Sequence, residues 1–240
     1  MNFFLTEQQI RLFRTSGFFK SPHLLDNNSI NELKGNISEL YKNPTLPFRK
    51  NAKDEVFRID NLINRGKIFK DLFTSSIILD PLESLLGPNI EYAINRQNNV
   101  NLNRGCDQEP RLHRDVLQWS RAAITVIVYL EESTVENGCT LIIPGTQYFP
   151  FVSTKKNCFM EEHPIYHDIL DQTVPIPMKA GGILFMDGLV MHTVGKNQTD
   201  STRLSMSAAY HSVDEISGNI EDKYKLLVRG ENLRIGNFEY

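Results

Sequence analysis

Apolar positions in the first third of the chain recur at helical spacing. Thr6-Glu7-Gln8-Gln9 has the form of a capping box, with Thr6 as N-cap and Gln9 reaching back from the third helical position. Ile10, Leu12 and Phe13 follow, and Gly17 ends the turn. A second helix is predicted over 28–41, where Ile30, Leu33, Ile37, Leu40 and Tyr41 share a stripe and Pro44 and Pro47 bar extension. A third helical stretch is predicted over 67–86, closed by Gly87-Pro88.

From residue 90 the period changes to two. Alternation over 90–94 and 99–103 predicts half-buried strands, and the near-continuous β-branched run over 122–130 predicts a strand buried on both faces. Three more strands are predicted at 140–143, 182–186 and 204–210. Helices first and strands later indicate an α+β chain built around a barrel or sandwich. The organisation expected is one domain over 1–240, with a helical part to about 88 and a β core over about 89–215. A lid-like insertion is expected at about 147–173, where some 30 residues lack any period.

Composition narrows the function classes. The 240 residues are 40% hydrophobic and 23% charged, ordinary globular usage that can bury a core. A formal charge of −3 offers no electrostatic case for nucleic acid or an anionic membrane as partner. Cys106, Cys139 and Cys158 are three in number without CxxC spacing, which argues against a disulfide framework or a structural zinc site. No basic, apolar leader and no membrane-length apolar run is present, so a cytoplasmic protein, monomer or homodimer, is expected.

The candidate chemistry begins at His113-Arg114-Asp115, just before the strongest predicted strand. In extended backbone, residues two apart face the same way, so one imidazole and one carboxylate can reach a common metal. With six histidines a His-x-Asp arises by chance in about one such chain in three, so a third ligand is needed. A two-histidine, one-carboxylate set is the pattern suited to non-haem Fe(II) oxygenases, and His192, after the apolar strand ending at Met186-Asp187-Gly188, is a candidate for the third position. Arg203 lies eleven residues further on and shares a strand face with Ser205, Ser207, Ala209 and His211. A small, polar face opening on arginine suits a cavity that takes a carboxylate.

Together these residues resemble the phytanoyl-CoA dioxygenase family of Fe(II)/2-oxoglutarate oxygenases. The likeness runs from Leu5-Thr6-Glu7-Gln8-Gln9 and Gly17-Phe18 through Leu112-His113-Arg114-Asp115, Tyr129-Leu130-Glu131-Glu132 and Glu136-Asn137-Gly138-Cys139-Thr140. It continues through Ile143-Pro144-Gly145-Thr146 to His192 and Arg203-Leu204-Ser205. The resemblance implies a double-stranded β-helix, the jelly-roll or cupin-like fold, with His113, Asp115 and His192 as iron ligands. It further implies Arg203, helped by Ser205, on the distal carboxylate of 2-oxoglutarate, and O₂ as the second cosubstrate. Thr146-Gln147 stands where the family often has a serine-histidine pair. Halogenating relatives carry a small residue in place of Asp115, so its carboxylate points to hydroxylation.

Substrate contacts are read more openly. Asn99, Asn101 and Asn103 alternate on one predicted strand, either as a solvent face or as a polar cavity wall, with Asn101 touching the cosubstrate and Asn99 the substrate. Trp119 is read either as a core residue or as a substrate wall beside the expected iron mouth, with Arg121 as an anion anchor. His211, at the parity of Arg203, is read either as a structural histidine or as one facing the cavity. The His163/His167 pair at helical spacing lacks a third ligand nearby. The expected activity is a small-molecule hydroxylase acting on an amino acid or biosynthetic intermediate. The competing readings are an oxygenase of CoA- or carrier-linked acyl chains, and a jelly-roll binding module without turnover.

Overall fold

The computed structural model describes residues 2–43, 48–50, 54–103, 111–116, 123–149, 169–215 and 222–232. In chain order its elements are α1 (Glu7–Ser16), β1 (Phe18–Lys20), α2 (Asn27–Tyr41), β2 (Phe48–Lys50), β3 (Val56–Asp60), α3 (Lys67–Phe73) and α4 (Ser76–Leu86). There follow β4 (Ile90–Ala93), β5 (Asn99–Asn103), β6 (Ile124–Tyr129), β7 (Thr140–Ile143), β8 (Val174–Ile176), β9 (Ile183–Asp187), β10 (Met191–Val194), β11 (Arg203–Ser212) and β12 (Lys225–Arg229).

Local chemistry accounts for the helices. The Thr6 capping box forms as the sequence predicts, and Gly17 ends α1 in the left-handed region at φ 82°. Helix α2 begins one residue earlier than the periodicity suggests, because the Asp26 carboxylate accepts from the Ser29 N–H at 2.9 Å and caps it. The single helix predicted over 67–86 is two. At the break the Thr74 hydroxyl donates to the Lys70 carbonyl and the Ser75 hydroxyl to the Leu72 carbonyl, side-chain bonds that compete with helix continuation.

The strands make two antiparallel sheets among the described residues. The larger runs β1-β9-β6-β11-β5-β3-β2, with β4 beside the far half of β11 and β12 beside β4. The smaller runs β10-β7-β8. The long β11 organises the whole. It pairs with β6 along one edge and with β5 and then β4 along the other. Strands β1, β2 and β3 come from the part of the chain expected to be helical, and β12 lies beyond the expected β core. Three-residue strands such as β1 are too short to show a period of two against neighbouring helical stripes.

Alternation along these strands separates two interiors. Ile59, Val100, Val126, Val128, Ile183, Phe185, Met206 and Tyr210 pack on helical residues such as Phe13, Leu33, Ile37, Phe73 and Leu82 in the main core. Tyr129, Leu184 and Met186 point the other way, against Ile142 and Ile176 of the smaller sheet and Met178 just beyond it. The order is thus helices, large sheet, small sheet. The buried Tyr129 hydroxyl meets the Thr140 hydroxyl at 2.7 Å and ties the sheets together. No helix among the described residues is long and apolar enough to cross a membrane.

Candidate metal centre

The segment bearing His113 and Asp115 belongs to no regular strand, yet its backbone is fixed at several points. His113 and His192 form an antiparallel bridge, each N–H donating to the other's carbonyl at 2.9 and 3.0 Å. The Val116 N–H donates to the Gly188 carbonyl at 3.1 Å. Leu112 is buried with Ile143, Ile169 and Met191, and the buried Arg114 guanidinium donates to the Thr146 and Phe149 carbonyls. With Leu112 and Arg114 turned into the protein, extended parity turns His113 and Asp115 to the opposite side. His192 reaches the same point from β10, which the sequence did not separate from the turn before it.

The ligand atoms of His113, Asp115 and His192 all lie within 4.8 Å of one another. Asp115 Oδ1 sits 3.9 Å from His113 Nε2 and 3.7 Å from His192 Nε2. Each imidazole has its Nδ1 3.0 Å from the carbonyl two residues before it, Arg111 for His113 and Val190 for His192. A carbonyl can only accept, so Nδ1 carries the hydrogen and Nε2 keeps its lone pair for a metal. Burial and the neighbouring His113 hold the His192 pKa down at about 4, against the pull of Asp115, so this imidazole is neutral at pH 7. The Asp115 and His192 side chains are only 6% and 8% exposed, while His113 is 34% exposed and marks the side open to solvent.

Both Asp115 oxygens have further partners that the sequence reading missed. Gln97 Nε2 donates to Oδ1, and the Thr125 hydroxyl donates to Oδ2 at 2.6 Å. Thr125 has the inward parity of β6, a signal the sequence did carry. Gln97 lies in an irregular turn between β4 and β5, where no period points to it.

Along β11 the predicted face is as expected. Arg203, Ser205, Ser207 and His211 are buried on it, while Leu204, Met206 and Tyr210 join the main core. Arg203 has no carboxylate partner among the described residues, and its Nε is buried without an acceptor. Burial pushes this guanidinium below its usual pKa, opposed by Tyr129 and Cys139. A buried, unpaired guanidinium is costly, and a ligand carboxylate is what it fits. Ser205 stands opposite Asn101 on β5, and Ser207 opposite Asn99.

The asparagine row is buried at Asn99 and half-buried at Asn101 and Asn103. Asn99 is fully buried, its Oδ1 accepts from Asn101 Nδ2 at 2.5 Å and the Ser207 hydroxyl at 2.9 Å, and its own Nδ2 has no acceptor. His211 packs beside Glu91 on β4, Nδ1 to carboxylate 3.6 Å. Trp119, Arg121, His163, His167 and most of the expected insertion over 147–173 lie outside the described residues. Gln147 anchors α1, its amide donating to the Arg14 carbonyl at 2.9 Å.

The family model for phytanoyl-CoA dioxygenase matches residues 13–205. A methylphosphonate hydroxylase from Gimesia maris is 24% identical over 240 aligned residues, covering 93% of this chain and 86% of that protein. Among solved structures, the epimerase SnoN in complex with Fe³⁺, α-ketoglutarate and nogalamycin RO superposes with a TM-score of 0.74 at 22% identity, covering 87% of this chain and 84% of that one. EctD from S. alaskensis with bound Fe superposes with a TM-score of 0.73 at 18% identity, covering 87% and 77%. The fold is therefore the double-stranded β-helix that the sequence resemblance implied.

Proposed function

The chain belongs to the phytanoyl-CoA dioxygenase family, and on that premise we propose that it uses Fe(II), 2-oxoglutarate and O₂ to hydroxylate a small polar metabolite, releasing succinate and CO₂. The reading is carried by the convergence of His113, Asp115 and His192 within 4.8 Å. The unpaired, buried Arg203 on the facing sheet supports it.

Iron held there, with 2-oxoglutarate and O₂, would supply the oxidising chemistry; the side chains bind, orient and exclude water. His113 and His192 would ligate through Nε2 and Asp115 through Oδ1, a facial set that leaves positions for other ligands. Arg203 would take the distal carboxylate of 2-oxoglutarate as a bidentate pair, with Ser205 and Asn101 as its polar neighbours. Desolvation of Arg203 strengthens that pairing, because no water competes for the guanidinium.

Substrate recognition is assigned to the far end of the same face, one position beyond Asn101 and Ser205. The unmatched amide N–H of Asn99 suits an acceptor oxygen on a small molecule, and His211, Trp119 and Arg121 are further candidates. A relative named methylphosphonate hydroxylase is in keeping with a compact polar substrate. The carboxylate of Asp115 favours hydroxylation over halogenation.

The test is anaerobic titration with Fe(II) and 2-oxoglutarate, followed by a panel of amino acids and small anionic metabolites scored by succinate release. A visible charge-transfer band and substrate-stimulated succinate are expected, with product heavier by one oxygen atom. A chain that never converts 2-oxoglutarate to succinate overturns the reading. Product of unchanged mass would make the reaction an epimerisation instead.

A further inference from the structure

We infer that Gln97 is a positioning residue for the metal, setting iron affinity by holding the ligating oxygen of Asp115; this rests on the iron reading above. Asp115 has no strand of its own to orient it, so its carboxylate depends on side-chain partners. It has one on each oxygen. Gln97 Nε2 donates to Oδ1, the oxygen nearest both histidine Nε2 atoms, and Thr125 donates to Oδ2. A carboxylate offers about four lone-pair sites, so Oδ1 can accept from Gln97 and still present a lone pair to a metal. With Oδ2 engaged by Thr125, the carboxylate cannot rotate freely.

The backbone shows that Gln97 is held in place. Its φ is 44°, in the left-handed region that glutamine seldom adopts. The neighbouring Asn98 enforces that geometry from the core. Its Oδ1 accepts from the Tyr92 hydroxyl at 2.8 Å and the Ile63 N–H at 2.9 Å, and its Nδ2 donates to the Ile94 carbonyl at 3.0 Å. Asn98 and Tyr92 are buried. Arg96, from the same turn, donates to the Asp115 carbonyl at 3.4 Å. The turn over 94–98 thus links the main core to the metal ligand, and a glutamine is kept at a position where glycine would be unstrained.

That strain separates function from structure. Gln97→Gly removes the amide and relieves the backbone, so the apoprotein should melt at the same temperature or higher. Anaerobic titration of the full chain with Fe(II), and with Co(II) followed by its visible spectrum, should show affinity falling about 10–100-fold, the usual effect of losing a partner of a metal ligand. Gln97→Asn keeps a residue that tolerates the left-handed region but shortens the reach by one methylene, and it should weaken the metal likewise. Thr125→Val, which frees the other oxygen, should move affinity in the same direction. Gln97→Gly binding Fe(II) as tightly as wild type overturns the positioning role alone. Wild type binding neither metal overturns the oxygenase reading and the positioning role with it.

Discussion

His113 and His192 are joined through their backbones as well as through any shared metal: the two residues exchange both main-chain hydrogen bonds, at 2.9 and 3.0 Å. Their rings follow, with centroids 4.3 Å apart. Because the pairing needs neither imidazole, the fold and the metal site can be separated by substitution. His192→Ala or His113→Ala should leave far-ultraviolet circular dichroism of the apoprotein unchanged while lowering Fe(II) affinity by more than about 100-fold, beyond the usual effect of an outer partner. Loss of both together would mean that the rings hold the bridge.

Arg203 is buried with its Nε unmatched. Arg203→Met keeps the apolar stem and removes an uncompensated buried charge, so the apoprotein should be as stable as wild type or more so. The same variant should raise the KM for 2-oxoglutarate about tenfold to a hundredfold, the effect of charged hydrogen bonds worth about 1.5–3 kcal/mol. Iron affinity measured without 2-oxoglutarate should stay put. A KM within twofold of wild type would remove Arg203 from the cosubstrate site.

His192 gives a pH dependence of known sign. Its pKa in the folded apoprotein is about 4, below the ordinary 6.5, so the unfolded chain takes up the proton first as pH falls. The stability it contributes is fully present above about pH 6.5 and is lost between about 6.5 and 4. Apoprotein melting temperature should fall across that window, and His192→Phe should flatten the fall. A wild-type profile identical to that of His192→Phe would contradict the assignment.

Tyr129 and Thr140 meet across the gap between the sheets at 2.7 Å, and both are buried. Tyr129→Phe leaves the Thr140 hydroxyl without that partner in a dry setting, at a cost of about 1–3 kcal/mol. Urea denaturation should show the midpoint falling without a change in slope. An unchanged midpoint would mean that the hydroxyl finds another partner.

The sequence by itself determined the helix α1 with its capping box, the strands at 90–94, 99–103 and 140–143, and the parity of β11. These are local properties, legible because a period of 3.6 or 2 and a cap depend only on neighbours along the chain. It also put His113 and Asp115 forward as candidate ligands, because residues two apart share a side wherever the backbone is extended. The tertiary structure decided what no period encodes. It brought His192 against His113 through pairing across some eighty residues of chain, and it buried Asn99 of β5 against Ser207 of β11. It also brought Gln97 from an irregular turn onto Asp115. Those contacts arise from register between distant strands, and register is set by which faces are buried together, a property of the folded chain alone.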